Sequence, residues 1–222
     1  MKLAVWYHTR MEGGTPPIDP EYSLAVMAEQ MAMLKESGLE AAADEILISV
    51  NGGAVNAMYA ATMAPDKARI IDNGPQAESH LPAVCRIREW LPGHAGWYVC
   101  YNHPKGVTHP GNRAYELWRQ CQDQIVYAGW RQCVKNLDDG FDSAGAHWLT
   151  PEKYGPLLST PIWGGMAFWA KADFLATLPA LPEAPTCRED WFKSEHWIGS
   201  GPRRPRVMDY APHWPCAPEC HP

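Results

Sequence analysis

The chain has 222 residues, of which 46% are hydrophobic and 20% charged, and its mean hydropathy is −0.35. These values are typical of a globular protein with a sizeable core, and no apolar run approaches the ~20 residues that a membrane-spanning helix needs. The formal net charge of −6 argues against a general nucleic-acid coat. The apolar run at the N-terminus is broken by His8 and Arg10, which favours a first core strand over a signal peptide. We therefore expect a cytoplasmic protein.

Strands and helices are predicted to alternate along the chain. Apolar runs closed by turn residues predict strands, and apolar residues at helical spacing predict helices. The predicted strands lie in LAVWY, DEILISV, ARIID, GWYVCY and DSAGAHWL. The predicted helices run from Pro20 to Gly38, Ala54 to Met63, Glu78 to Leu91, Asn112 to Leu137 and Ala172 to Leu178. The chain from Pro179 onward is rich in Pro, Trp and Arg and shows little periodicity.

This order of elements predicts a single Rossmann-like α/β domain, 1–222, with a mainly parallel sheet and flanking helices. Within it we expect a nucleotide-sugar-binding half (1–111), an acceptor half (112–200) and an irregular tail (201–222). In such sheets, ligands bind beyond the carboxyl ends of the strands, at a topological switch point. The polar residues predicted to converge there as a donor-binding set are His8, Thr9, Asn51, Asp72, Asn73, His103 and Lys105.

Several common motifs are missing from the sequence. It has no G-x-G-x-x-G after the first strand, no G-x-x-x-x-G-K-[ST] and no G-x-S-x-G, so it lacks support for a dinucleotide, P-loop or hydrolase-elbow site. Its seven cysteines are best explained as buried free thiols. Cys216, Cys220 and His221 could form half a zinc site or a disulfide, and the sequence does not decide between these.

Five short motifs occur in an order that points to one family. They are NHPKG (Asn102 to Gly106), LWRQC, FDSAGAHW, WGGMAFWA (from Trp163) and SEHWIG (ending at Gly199). Together with the order of elements, they resemble GT-A-fold, nucleotide-sugar-dependent glycosyltransferases of a bacterial and phage group, including the rhamnan-synthesis type. That group carries a His-x-Lys-Gly motif where other GT-A enzymes carry the metal-binding Asp-x-Asp. This chain departs from the group by having Pro104 where Thr is usual and Met166-Ala167 where Asn and an aromatic are frequent.

The resemblance implies where the donor diphosphate is held. Its negative charge grows as the glycosidic bond breaks, so either a metal ion or fixed cationic donors must stabilise it. Lys105 and His103 stand at the position of Asp-x-Asp and could supply that charge. A Mg²⁺ or Mn²⁺ ion remains an alternative, held by other groups such as Asp72 or Asp142.

The acceptor side needs a general base if the reaction inverts the anomeric centre. The candidate carboxylates are Glu195, Asp190 and the neighbouring Glu189, and Glu195 lies in the segment that resembles the acceptor-facing one of related transferases. We therefore predict Glu195, Asp190 and Lys105 as catalytic residues. The predicted acceptor-binding residues are Trp163, Gly164, Gly165, Trp169, Arg203 and Arg204, with the indoles as a platform for a sugar ring.

The predicted activity is transfer of a hexose-type sugar from a UDP-sugar or similar donor to a hydroxyl acceptor. The acceptor is either a glycan precursor or a hydroxymethylated base in phage-type DNA, which the cluster of Arg203, Arg204 and Arg206 would contact. Two alternatives stay open. One is a non-catalytic nucleotide- or sugar-binding protein of the same fold, and the other is a metal-dependent hydrolase using His103, His109 and Asp142.

Overall fold

The fold was analysed in a computed structural model of the chain, which describes residues 1–11, 17–75, 79–154, 158–181 and 194–211. The helices, including short ones, are α1 (Pro20–Glu36), α2 (Leu39–Ala42), α3 (Ala54–Met63), α4 (Leu81–Trp90), α5 (Arg113–Asp123), α6 (Trp130–Asp138), α7 (Pro151–Tyr154) and α8 (Ala172–Ala176). The strands are β1 (Lys2–Thr9), β2 (Glu45–Val50), β3 (Ala68–Asp72), β4 (Trp97–Asn102), β5 (Ser143–Gly145), β6 (Trp148–Leu149), β7 (Ile162–Trp163), β8 (Phe168–Lys171) and β9 (Val207–Asp209).

One seven-stranded sheet organises the described residues, in the order β3-β2-β1-β4-β8-β5-β9. Neighbours among β3, β2, β1 and β4 are parallel, β8 is antiparallel to both β4 and β5, and β9 is parallel to β5. The chain passes from β1 through β2 to β3 on one side and then returns to place β4 on the other side of β1. The topological switch point therefore lies between β1 and β4.

Apolar cores cover both faces of the sheet. On one face, Met27 and Leu34 of α1 pack with Val126 and Leu137 of the α5–α6 region. On the other face, Val84 and Ile87 of α4 pack with residues of α8 and of the turn at Trp197–Gly199. The Rossmann-like α/β architecture predicted from the sequence is confirmed. None of the helices in the described residues is long and apolar enough to cross a membrane.

The helix predicted from Asn112 to Leu137 is not continuous. After α5 the backbone widens into a single π-helical turn, Gln124–Ala128, and α6 begins only at Trp130. Gly129 closes this turn by donating its N–H to the carbonyl of Gln124. A Cβ atom at Gly129 would stand 2.9 Å from the Ile125 carbonyl oxygen, so the turn requires glycine there.

The predicted fifth strand is split into β5 and β6. His147 lies between them with a φ of 65°, a left-handed conformation that breaks the extended run. The Asp209 carboxylate accepts the N–H groups of His147 and Trp148 and holds the break in place.

The irregular tail predicted from 201 onward is wrong for residues 207–209, which form β9 at the sheet edge. A short strand without internal periodicity is recognisable only through its partner strand. Cys187, Cys216, Cys220 and His221 lie outside the described residues, so the prediction for the C-terminal Cys/His group stays untested.

Candidate active site

A cavity of about 270 Å³ opens at the carboxyl edge of the sheet, at the switch point. His8 and Thr9 reach it from the end of β1, and Asn51 reaches it from the end of β2. The loop after β4 forms a further wall with His103 and Lys105. Five of the seven residues predicted to bind the donor therefore share one cavity.

Three imidazoles from separate elements meet in this cavity. The ring centroid of His80 lies 5.1 Å from that of His8 and 4.4 Å from that of His103. His8 Nδ1 lies 3.2 Å from the Ser49 carbonyl and His103 Nε2 lies 2.7 Å from the Gly165 carbonyl. Because a carbonyl can only accept, these two nitrogens carry the proton of the neutral ring. The opposite nitrogens, His8 Nε2 and His103 Nδ1, are then hydrogen-bond acceptors.

Burial keeps these imidazoles uncharged. It lowers the pKa of His8 to about 4 and, together with the charge of Lys105, the pKa of His103 to about 3. The pKa of His80 also lies well below its usual 6.5, first through burial and then through His103. The prediction that His103 supplies positive charge is therefore wrong for the unliganded site, because the buried ring is neutral at pH 7.

The positive charge in the cavity comes from Lys105 and Arg10. Lys105 Nζ lies 4.4 Å from the centroid of the Trp118 ring and 5.8 Å from that of Tyr115, so two aromatic faces flank the ammonium. Gly106 follows with a φ of +86°, and a Cβ atom there would stand 2.9 Å from the Tyr115 side chain. No carboxylate is present among the described residues that line the cavity, so its chemistry suits an anion.

A buried network of polar side chains stabilises the loop that follows β4. The Asp123 carboxylate accepts hydrogen bonds from Asn102 and Gln30, both at 2.8 Å. Gln30 also donates to the carbonyl of His103 and accepts from the Tyr7 hydroxyl. The network joins β1, α1, β4 and α5 behind the cavity. It fixes the backbone from which the His103 and Lys105 side chains project.

Asp72 and Asn73 lie outside the cavity wall. Asp72 is exposed and accepts the N–H of Gly74 as a turn residue, so its prediction as a cavity residue is wrong. Asn73 donates to the Ser49 hydroxyl at 2.7 Å and to Asn51 Oδ1 at 2.9 Å. It therefore orients Asn51 instead of facing a ligand.

The predicted tryptophan platform is wrong, because Trp163 and Trp169 are core residues. Each has 0% of its surface exposed, and the indole N–H of each donates a hydrogen bond to a group inside the protein. Trp163 donates to the Ser143 hydroxyl and Trp169 to the Val126 carbonyl. Neither ring offers a face to a sugar. The aromatic side chains that do line the cavity wall include Tyr115.

Gly164 and Gly165 contribute backbone carbonyls. The Gly165 carbonyl holds His103, and the Gly164 carbonyl accepts from Gln122 of α5. Gly165 has a φ of +76°, and a Cβ atom there would meet the Gln122 side chain at 2.7 Å. This glycine pair therefore supports the site from outside the cavity wall.

The arginine cluster makes ion pairs with the protein itself. Arg203 forms a bidentate ion pair with Asp142, in which its two terminal nitrogens lie 2.6 and 2.7 Å from the carboxylate oxygens. This ion pair lowers the pKa of Asp142. Arg204 pairs with Glu152 on the surface. Neither arginine lines the cavity, which removes the structural support for Arg203 and Arg204 as acceptor contacts and for Asp142 as a metal ligand there.

Glu195 is half-buried and does not line the cavity. Its charge adds to burial in raising the pKa of Tyr101 far above the usual value. The Tyr101 hydroxyl in turn lies 2.9 Å from His80 Nδ1. The structure thus places Glu195 within electrostatic reach of Tyr101 and outside the cavity wall. Asp190 and Glu189 lie outside the described residues, so the structure does not place them.

Sequence reasoning missed His80, Arg10 and Ser79. Arg10 directly follows β1, so the rule that selected His8 and Asn51 applies to it, whereas several loop residues separate Ser79 and His80 from the end of β3. His80 precedes α4, whose Pro82 lies at the start of the helix. The sequence signal for this part of the site is the Ser-His pair that comes just before a helix. The start of that helix is indicated by Pro82.

The described part of the site does not fit Mg²⁺ or Mn²⁺. Such ions take carboxylate and carbonyl oxygens, whereas an ammonium and a guanidinium share this cavity. Across residues 1–11, 17–75, 79–154, 158–181 and 194–211, no group of three or more His, Cys, Asp or Glu side chains could hold a metal ion.

The low pKa values of the site histidines predict that the protein is less stable at acidic pH. The unfolded chain takes up protons at its histidines as pH falls below about 6.5, whereas folded His8 and His103 do not until pH 4 and 3. The free energy of unfolding should therefore fall on acidification, at up to ~1.4 kcal/mol per pH unit for each proton. Asp123 has the opposite effect on stability, because burial raises its pKa to about 6. On acidification the folded protein therefore takes up one proton at Asp123 before the unfolded chain does.

Urea unfolding at pH 7 and pH 5 measures this dependence. We expect the wild type to lose stability between these pH values, and the His8→Gln variant to lose less than the wild type. Equal losses in the two proteins would show that His8 is not a buried neutral base.

The comparisons with known proteins show the fold. No known family profile and no curated protein matches the chain. Among solved structures, CMP:2-keto-3-deoxy-manno-octonic acid synthetase in complex with CTP superposes with a TM-score of 0.50 at 10% identity, over 95% of this chain and 90% of the other. Mycobacterium tuberculosis glucosyl-3-phosphoglycerate synthase gives a TM-score of 0.42 at 12% identity, and the alignment covers 82% of this chain and 61% of that one.

A third structure, from Desulfovibrio desulfuricans and described as a nucleotide-diphospho-sugar transferase, gives a TM-score of 0.41 at 10% identity, over 95% and 80% of the two chains. The chain therefore has a Rossmann-like α/β fold that is similar to the fold of the CMP:2-keto-3-deoxy-manno-octonic acid synthetase.

Proposed function

We propose that this protein is a nucleotide-sugar-dependent glycosyltransferase whose donor diphosphate binds Lys105 and Arg10. The observation that carries the proposal is the charge of the cavity at the switch point. Two cations and no carboxylate occur among its described lining residues. A diphosphate is a small, strongly anionic group, and beyond the carboxyl ends of the strands is where ligands of such folds bind.

The histidines would serve the hydroxyl groups of the donor. His8 Nε2 and His103 Nδ1 are the unprotonated nitrogens of neutral rings, because the opposite nitrogens donate to carbonyls. A lone pair of this kind accepts a hydrogen bond from a sugar or ribose hydroxyl but repels a phosphate oxygen. The cavity therefore offers both cationic groups for the diphosphate and accepting nitrogens for hydroxyls.

The chemical step follows from this arrangement. The bond between the anomeric carbon and the diphosphate oxygen breaks, and its electron pair stays on that oxygen, where Lys105 and Arg10 stabilise the charge. The acceptor oxygen bonds to the anomeric carbon and its proton passes to a base. Glu195 and Asp190 remain our candidates for that base.

The proposal also includes the donor, the two halves of the domain, the cellular location and the acceptor. The donor is a UDP-hexose or a similar nucleotide sugar, the division at residue 111 separates the donor and acceptor halves, and the enzyme is cytoplasmic. A glycan precursor suits a chain of net charge −6 better than DNA does. The resemblance to the His-x-Lys-Gly group supports this assignment through residues 102–106.

A panel of UDP-, GDP- and dTDP-sugars tests the proposal. We expect at least one of them to bind and to be hydrolysed or transferred, with release of the nucleoside diphosphate. Binding without turnover of any donor would indicate the non-catalytic alternative. CTP belongs in the same panel, because pyrophosphate release from it would indicate nucleotidyl transfer and overturn the glycosyltransferase assignment.

A further inference from the structure

A second and larger cavity, of about 660 Å³, lies away from the histidines. It is enclosed by α1, by α5 with the π-helical turn, and by the chain just after β9. The side chains that define its character are Glu29, Met33, Leu117, Asp123, Ile125 and Tyr210.

A buried carboxylate forms part of the wall of this cavity. Asp123 has only 5% of its surface exposed, and burial raises its pKa to about 6. Both hydrogen bonds that it receives, from Gln30 and Asn102, go to the same oxygen, Oδ1. Within the described part of the chain no hydrogen bond is directed at Oδ2. Oδ2 is not among the fully buried atoms that lack a partner, and Asp123 lines the cavity, so this oxygen can be reached by a ligand in the cavity.

The remaining lining residues indicate what that ligand carries. Glu29 adds a second carboxylate, partly neutralised by Arg119 Nη2 at 3.2 Å, and no Lys, Arg or His occurs in the described lining. Met33, Leu117 and Ile125 supply apolar surface, and Tyr210 supplies a ring. A thioether and an aromatic ring both pack well against a flat aromatic body.

We propose that this cavity binds an organic cation, a primary ammonium on a flat apolar body, whose ammonium group meets Asp123 and Glu29. Such a ligand would supply the donor that Oδ2 lacks. The carboxylate also connects the two cavities, since Asp123 Oδ1 holds Asn102, the residue before His103. An occupant would thereby act on the backbone of the loop that carries Lys105.

The groups that face Asp123 support a cation at this place. Arg119 is the nearby cation, while Glu29 adds like charge. Tyr7, Tyr127 and Cys100 also surround it, and burial raises the pKa of all three, which keeps them neutral. A bound ammonium would therefore favour the ionised form of Asp123, and binding should tighten as pH rises from 5 to 7.

Tryptamine is a suitable probe, and tryptophol, which has a hydroxyl in place of the amine, is its neutral match. We expect tryptamine to shift the methyl NMR signal of Met33 in methyl-labelled protein, assigned with Met33→Leu. Its affinity should exceed that of tryptophol by about tenfold, as expected for a hydrogen bond to a charged group. The binding needs no nucleotide sugar, so it can succeed or fail independently of the proposed activity.

Two variants of the cavity and one control variant complete the experiment. Asp123→Asn keeps an oxygen for Gln30 and Asn102 and should reduce the preference for tryptamine over tryptophol, with Glu29 as the remaining carboxylate. Leu117→Lys places an ammonium from an exposed position into the cavity and should abolish tryptamine binding, whereas Val55→Lys, an equally exposed site on α3, should not. Equal affinity of wild type for both probes, no shift at Met33, or unchanged binding to Leu117→Lys would overturn the proposal.

Discussion

The Lys105→Ala variant should lose donor-dependent turnover by about 100- to 1000-fold, the usual effect of removing one group that stabilises transition-state charge. Lys105 is held in position, because Arg119 donates to its carbonyl and its ammonium lies over the Trp118 ring. The loss should appear mainly in kcat, because the leaving diphosphate gains charge as the bond breaks. Steady-state kinetics with the active donor of the panel measures it.

Two matched variants separate this effect from a general loss of charge. Lys105→Arg keeps the cation and should recover part of the activity. Lys35→Ala removes an exposed lysine at the end of α1 and should leave kcat unchanged. Turnover of Lys105→Ala within a few-fold of the wild type would remove Lys105 from the mechanism.

The Trp169→Ala variant should lose about 3–5 kcal/mol of unfolding free energy, as expected when a large aromatic side chain leaves a close-packed core. The indole is completely buried between the sheet and the π-helical turn, and its N–H donates to the Val126 carbonyl at 2.8 Å. Trp169→Phe should lose less, because it fills most of the volume and gives up mainly the hydrogen bond. Urea unfolding of the three proteins measures these differences.

Val55→Ala is the control for this series, since Val55 is 49% exposed on α3 and its truncation should change stability by no more than ~0.5 kcal/mol. A folded Trp169→Ala protein of near wild-type stability that had lost only acceptor use would contradict the core assignment. It would restore the interpretation of Trp169 as a sugar platform.

The residues of the candidate site that follow directly from a strand were predictable. His8, Thr9, Asn51 and His103 each come at or just after the end of a run of apolar β-forming residues. In a parallel sheet the carboxyl ends of neighbouring strands meet at one edge, so strand prediction alone brings these residues together. The position of His80 could not be predicted in this way, because several loop residues separate it from the end of β3. A loop of that length can continue in any direction from the edge of the sheet.

The tryptophans and arginines were not predictable from their type. An indole packs a core as readily as it stacks on a sugar, and only the packed structure shows that Trp163 has no exposed face. Arg203 is likewise a surface residue by composition, and its partner Asp142 stands 61 positions earlier in the chain. Pairings over such distances depend on how the sheet is assembled.

The amino-acid sequence by itself determined the order of strands and helices through β4, the Rossmann-like fold and the edge of the sheet where polar residues gather. These follow from local periodicity and from the geometry of parallel strands. Only the tertiary structure decided the charge of the site, because it buried His8 and packed the half-buried His103 beside Lys105, which keeps both imidazoles neutral, and it left Lys105 and Arg10 as the cations of the cavity. The reason is that burial, which sets the protonation of an imidazole, is produced by residues far apart in the chain.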